Sequence, residues 1–125
     1  MRAVFIESSE FTEWVRDYLP DESYAALQRE LMADPEKGTP MPGCGGLRKV
    51  RTPDPRRGKG KRGGARVIYL HVPDVNQFFL LDVFGKDEKD DLSPQEKRIL
   101  ATLADQLKRR ARSTAPRRKG GRSKP

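Results

Sequence analysis

RVIYLHVPDVNQFFLLDVFG, residues Arg66–Gly85, decides the fold. Its two halves, Arg66–Val72 and Gln77–Gly85, are rich in β-branched and aromatic residues, the composition of strands. The link between them, Pro73–Asn76, opens on Pro-Asp and is short. A link of that length joins neighbours that run in opposite directions, so the pair reads as an antiparallel hairpin.

The stretch feeding this hairpin is Gly45–Arg66, GGLRKVRTPDPRRGKGKRGGAR. Leu47–Thr52 reads as a further strand, and Pro53–Gly64 as a Gly- and Pro-rich loop. Within Arg48–Arg66 nine basic residues (Arg48, Lys49, Arg51, Arg56, Arg57, Lys59, Lys61, Arg62, Arg66) face one acid, Asp54. Such a loop cannot bury itself, because unpaired charge is too costly to desolvate. It must meet water or an anion, and a one-signed run of cations suits RNA or DNA.

Further upstream, Ala3–Ile6 is a short β-type run. Ser8 or Ser9 then offers an N-cap for a helix on which Phe11, Trp14, Val15 and Tyr18 or Leu19 recur at helical spacing. Pro20 ends it. Asp21 can cap a second helix, from Glu22 to about Ala33, with Tyr24, Leu27 and Leu31 along one stripe. Residues 38–46 form a Gly/Pro-rich turn. Downstream of the hairpin, Lys86–Leu92 is a charged loop. Ser93-Pro94-Gln95-Glu96 then starts a helix with Ser as N-cap, Pro at N1 and Glu at N3. That helix reaches about Arg110 with Ile99, Leu100, Leu103 and Leu107 inward. The order β–α–α–β–β–β–α describes an α+β domain, with helices packed on a twisted sheet.

Bulk composition sets the limits. At 125 residues the chain is one domain, with 34% hydrophobic and 35% charged residues. The formal net charge of +8 is unevenly spread. From Lys108 onward there are nine Lys and Arg and no acid, whereas residues 1–107 hold 17 basic residues against 18 acids. The body is therefore near neutral with one cationic loop, which favours a specific anion site over a generally sticky surface. The expected organisation is a folded domain over 1–110 and a basic, disordered tail over 111–125. Cys44 is the single cysteine, so neither an intrachain disulfide nor a Cys-based metal cluster is possible. It reads as packing within a turn. No run is long enough to span a membrane, and MRAVFIESS lacks the pattern of a secretory signal. No metal or other cofactor is implied.

At GGLRKVR…GKGKRGGARVIYL…FFLLDVFGKDEKDDLSPQEKRIL the chain resembles the RelE/ParE superfamily of bacterial toxins, most of all the HigB branch of ribosome-dependent mRNA interferases. The matching features run from VFIES to Leu107. The resemblance implies a RelE-like (microbial-RNase-like) fold: an antiparallel-dominated four-stranded sheet with two N-terminal helices and a C-terminal helix. It implies a cytoplasmic toxin of a type II toxin–antitoxin system that cleaves mRNA in the ribosomal A site and inhibits translation. The implied partners are a cognate helix-turn-helix antitoxin encoded next door and the 70S ribosome with its mRNA. Operator DNA is met only through the antitoxin. Matched strand by strand, the catalytic positions fall on Lys49, Arg51, Arg66, Phe84 and Lys86. Asp87 stands where the RelE subgroup carries Arg, and Leu92-Ser93 where it carries a Tyr, so the RelE acid/base arrangement does not transfer as a whole.

Residue chemistry gives these positions two readings each. Metal-independent cleavage activates a ribose 2′-OH against the neighbouring phosphate and needs a base, a stabiliser of phosphorane charge and an acid for the 5′-oxygen. Neighbouring like charge disfavours protonation of a lysine, which suits Lys49 to the base role; it equally suits plain phosphate pairing. Arg51 and Arg66 suit the oxyanion, since guanidinium clamps phosphate oxygens bidentately; otherwise they are strand-end surface residues. Phe84 either stacks on a base or belongs to the core. Lys86 would hold phosphate or protonate the leaving group. Arg48, Arg56, Arg57, Lys59, Lys61 and Arg62 are the candidate RNA- or ribosome-binding cations.

Alternation puts Lys49 and Arg51 on one strand face, and Leu80, Asp82 and Phe84 on one face of theirs. Arg66 opens its strand, where its side chain can reach outward. His71, the single histidine, alternates with Val67 and Tyr69 and reads as structural or surface. Two alternative functions stand beside the interferase: a ParE-like gyrase inhibitor, and a non-catalytic RNA-binding module.

Overall fold

The structure is a computed structural model that describes residues 3–52, 64–85 and 92–114. Five strands form one sheet: β1 (Val4–Glu7), β2 (Thr39–Pro40), β3 (Arg48–Thr52), β4 (Ala65–Val72) and β5 (Gln77–Gly85), in the order β1-β5-β4-β3-β2. β3, β4 and β5 are successive antiparallel neighbours, as the sequence indicates. The 3₁₀ turn Pro73–Val75 joins the last two. Asn76 closes it with a left-handed backbone, φ 51°, a conformation that Asn tolerates better than most residues. Two features extend the four-strand expectation. Thr39–Pro40 adds a two-residue edge strand against β3. β1 pairs with β5 in parallel, Val4 opposite Gln77 through Glu7 opposite Leu80.

Helices cover both faces of the sheet. α1 (Ser9–Tyr18) and α2 (Asp21–Ala33) bury Phe11, Val15, Tyr18, Leu27 and Leu31 with Val50, Val67, Tyr69, Phe78, Leu80 and Val83. α3 (Pro94–Thr114) covers the opposite face, where Leu47, Ile68, Leu70, Phe79, Leu81 and Phe84 cluster with Ala104 and Ala111. This double cover explains the hairpin's composition: a strand buried on both sides reads as a continuous apolar run rather than an alternation.

The ends of the helices follow local chemistry. Ser8 caps α1, its Oγ accepting from Phe11 N at 3.0 Å and donating to Leu81 O at 2.9 Å, so the cap also ties the helix to β5. The cap of α2 is Pro20 rather than Asp21, which is the first helical residue and carries no cap bond. Pro20 suffices because its fixed φ of −60° already points the chain into the helix. At α3 the expected capping box forms: Glu96 N donates to Ser93 Oγ at 3.1 Å and Ser93 N to Glu96 Oε1 at 2.8 Å.

Two side chains depart from the predicted stripes, and two alanines outside them are buried. Trp14 is 44% exposed and Ile99 60% exposed, whereas Ala104 and Ala111 are buried. Each helix meets the sheet along a narrower seam than its apolar residues suggest, and at α3 small residues sit where the backbone comes closest. Gly45, at φ +67°, lies against that seam; a Cβ there would be 3.5 Å from Ala101 O and Ala104 Cβ. α3 also runs past the expected boundary at Arg110. Its last turn is anchored by Ala111 in the core and by Arg112 Nε to Asp74 Oδ2 at 3.1 Å. The tail segment 115–125 lies outside the described residues. Cys44 is buried with the α3 cluster. His71 is half-buried, its ring stacked on Phe78 at 4.3 Å.

One alternation fails. The β4–β5 register slips between Ile68 and Tyr69, with Ile68 opposite Asp82 but Tyr69 opposite Leu80. Leu81 is the extra residue of a bulge, so the side-chain parity of β5 changes there. Leu80 joins the α1/α2 core and Phe84 the α3 core, instead of sharing a face.

Glu7, at the end of β1, accepts from Thr12 Oγ1 at 2.6 Å and from Tyr24 Oη at 2.5 Å, linking the first strand to both N-terminal helices. Desolvation, reinforced by that carboxylate, raises the Tyr24 phenol above its usual value of 10.0. A phenol held protonated by the fold stabilises it fully below pH 10 and loses that contribution as pH rises beyond. Tyr24→Phe should therefore cost about 1 kcal/mol at neutral pH, with the gap to wild type narrowing above about pH 10; urea melts across that range measure it. Phe78 lies between Phe5, stacked at 4.7 Å, and His71. Phe78→Ala should cost about 3–5 kcal/mol in the same melts.

Candidate nucleic-acid interface

Strand pairing assembles the candidate residues into two rungs. One runs Thr39–Lys49–Ile68–Asp82 across β2, β3, β4 and β5, and the next runs Arg51–Arg66–Phe84 across β3, β4 and β5. Directly opposed residues share a face, with Cβ atoms about 5 Å apart. Lys49, Arg51, Arg66 and Phe84 therefore lie on one side of the sheet, the α3 side. Lys49 and Arg51 sit on β3, lateral to the strands that α3 covers. Arg51 is exposed, Lys49 half-buried, and with Lys37 and Thr39 they line a groove of about 390 Å³ at the sheet edge.

Arg66 is not where its position at a strand start suggests. It is 1% exposed, the largest fully buried side chain among the described residues. β4 begins one residue earlier and is paired on both sides, so Arg66 is an interior rung between Arg51 and Phe84 rather than a free end. Its Nη1 donates to Gly64 O at 2.7 Å. A guanidinium keeps its charge even there, so Arg66 supplies a fixed positive charge on the strand next to the exposed Arg51. Phe84 is 3% exposed and packs in the α3-side core. Its ring is a core aromatic in this structure and presents no open face for stacking on a base.

Arg48 lies on the opposite face from Lys49. Its Nη1 donates to Gly38 O at 2.7 Å and to Glu36 O at 3.2 Å, so it holds a turn of its own chain. Tyr69 completes that clamp from beneath: its Oη accepts from Gly38 N at 3.0 Å and donates to Pro35 O at 2.8 Å. The Tyr69 phenol is raised by its burial, against a lowering from the Gly38 bond. Lys86, Arg56, Arg57, Lys59, Lys61 and Arg62 lie outside the described residues.

Two residues of the site are not apparent from sequence. Lys37 follows the second helix with nothing local to set it apart from the chain's other lysines, and Thr39–Pro40 is too short to announce a strand. Asp82 had a signal, being the lone charge within QFFLLDVFG. It lies two strands from Lys49 on the same rung, roughly 10 Å away at the usual strand spacing, and its Oδ1 accepts from Val83 N at 2.9 Å. Glu10 and Glu96 line the hollows beside it. The site thus has a cationic side on β3 and an acidic side on β5. Among the described residues no group of His, Cys, Asp and Glu could hold a metal ion, and no helix is long and apolar enough to cross a membrane.

No family model matches the chain. Among solved structures it is similar to E. coli toxin RelE, a double arginine-to-alanine mutant in the free state, with 14% identity and a TM-score of 0.48 over 72% of this chain and 90% of that one. The residues of the site stand on their own geometry.

Proposed function

We propose that the chain is the toxin of a type II toxin–antitoxin pair, a ribosome-dependent endoribonuclease that cuts mRNA in the A site. The observation that carries this reading is the rung Arg51–Arg66, with Lys49 next to it on the same face. A buried, fixed guanidinium beside an exposed one on the neighbouring strand suits a phosphate whose charge grows during reaction. In the proposed step a base takes the ribose 2′-OH proton and O2′ attacks the adjacent phosphorus. The P–O5′ bond breaks and an acid protonates O5′, leaving a 2′,3′-cyclic phosphate and a 5′-OH. Lys49 is the candidate base or phosphate ligand, and Arg51 and Arg66 take the phosphorane charge. Lys86 keeps its proposed role at the leaving oxygen. Phe84 supports Arg66 from the next strand instead of stacking. The open, shallow groove agrees with a substrate positioned by the ribosome, and a cognate antitoxin is the expected partner.

One observation favours a second reading, a non-catalytic RNA-binding module: Arg66 is buried and engaged with Gly64 O, so a structural role would occupy it fully. Induction in cells followed by primer extension on translated mRNA separates the two. The interferase reading expects new codon-associated 5′ ends, and growth arrest without them sinks it. Arg66→Lys, which keeps the charge but not the fork, should lower cleavage by about 100-fold or more, with a thermal melt confirming the fold. Arg51→Ala should weaken ribosome binding, and the deficit should shrink as salt rises. A Lys49→Ala, Arg66→Ala double variant that remains folded and fully toxic would exclude these residues from the chemistry.

A further inference from the structure

The groove at the β2–β3 edge has a member that the reaction above does not use. Lys37, Thr39, Lys49 and Arg51 line it together, and Thr39 is directly opposite Lys49. The backbone on either side of Lys37 is held by buried chemistry. Tyr69, 0% exposed, grips Pro35 O and Gly38 N through one hydroxyl, and Arg48 grips Glu36 O and Gly38 O. A Cβ on Gly38 would fall 2.9 Å from Tyr69 Cε1 and 3.1 Å from Lys49 O, so glycine alone fits there. Lys37 is an exposed side chain on a fixed mount. Its ion pair with Glu30 is a loose 4.0 Å approach to a side chain that is itself 51% exposed, and a pair of that kind contributes little.

We propose that this groove is a backbone track for single-stranded RNA, in which Lys37 and the Thr39 hydroxyl bind the phosphate next to the one held by Lys49 and Arg51. The proposal rests on the reading of the chain as one that acts on RNA, and it adds Lys37 as a binding residue with Tyr69 and Arg48 as its positioning residues. None of the groove's lining residues is aromatic, so it offers bases nothing to stack on. Cation and hydroxyl contacts to phosphate carry no sequence information. The track therefore sets affinity and register, independent of sequence.

The test is fluorescence anisotropy of labelled single-stranded RNA oligonucleotides of differing sequence, titrated with the full chain over a range of KCl. Lys37→Ala should weaken binding about three- to tenfold at low salt, alike for every sequence, and reduce the slope of log K against log salt by about 0.7. Lys37→Arg should stay within about twofold, since it restores the charge. Tyr69→Phe should lower affinity less than Lys37→Ala and leave the salt slope intact, because the mount loosens while the charge remains. Thermal melts on each variant establish that it is folded. If Lys37→Ala binds as wild type while Arg51→Ala is weakened, the track is wrong and the RNA site stands. If Arg51→Ala also binds as wild type, or the wild-type chain binds no RNA, the RNA reading falls and the track with it.

Discussion

Burying β4 on both faces is the constraint on which the rest depends. From Ala65 to Leu70 every residue of the strand is buried, so every backbone polar group along it must be paired by a neighbouring strand. β3 and β5 meet that demand on the two sides, and the helices follow because each face of the hairpin is apolar and needs cover. Arg66 is accommodated in this scheme with its Nη1 bonded to Gly64 O. A charged group in such a strand costs several kcal/mol unless bonded.

The hairpin was legible because strands covered on both faces have a composition that nothing else in the chain shares. The capping box at Ser93 was legible because its signal is local. Legibility ended where tertiary contact decides. Trp14 and Ile99 repeat at helical spacing, yet both helices meet the sheet along seams too narrow to take them. The bulge at Leu81 leaves no mark in QFFLLDVFG, and it alone decides that Phe84 faces α3 while Leu80 does not. The parallel seat of β1 beside β5 is equally silent, since a run as short as Val4–Ile6 can join either edge of a sheet.

The candidate site shows the same division. That Lys49 and Arg51 share a face follows from alternation, and that Arg51 opposes Arg66 follows from register, which only the fold supplies. Depth was the least readable property. Arg48, Arg51 and Arg66 look alike in the sequence, yet one clamps a turn, one is open to solvent and one is buried. Their surroundings, not their residue type, decide which one holds the chain, which one is open to solvent and which one is enclosed.

The place of β1 has a consequence for how the protein is made. The first strand emerges early, but its partner is β5, and the Ser8 cap reaches Leu81 across a separation of 73 residues. Long-range pairing of this kind pays its loop-closure entropy late. Val4–Glu7 must wait, unpaired, until most of the chain has left the ribosome. The sheet is completed only once β5 is available to seat β1. Any chain truncated before Gln77 lacks the strand on which both β1 and β4 are seated. A prematurely terminated product would thus hold the cations of β3 without the frame that aligns them.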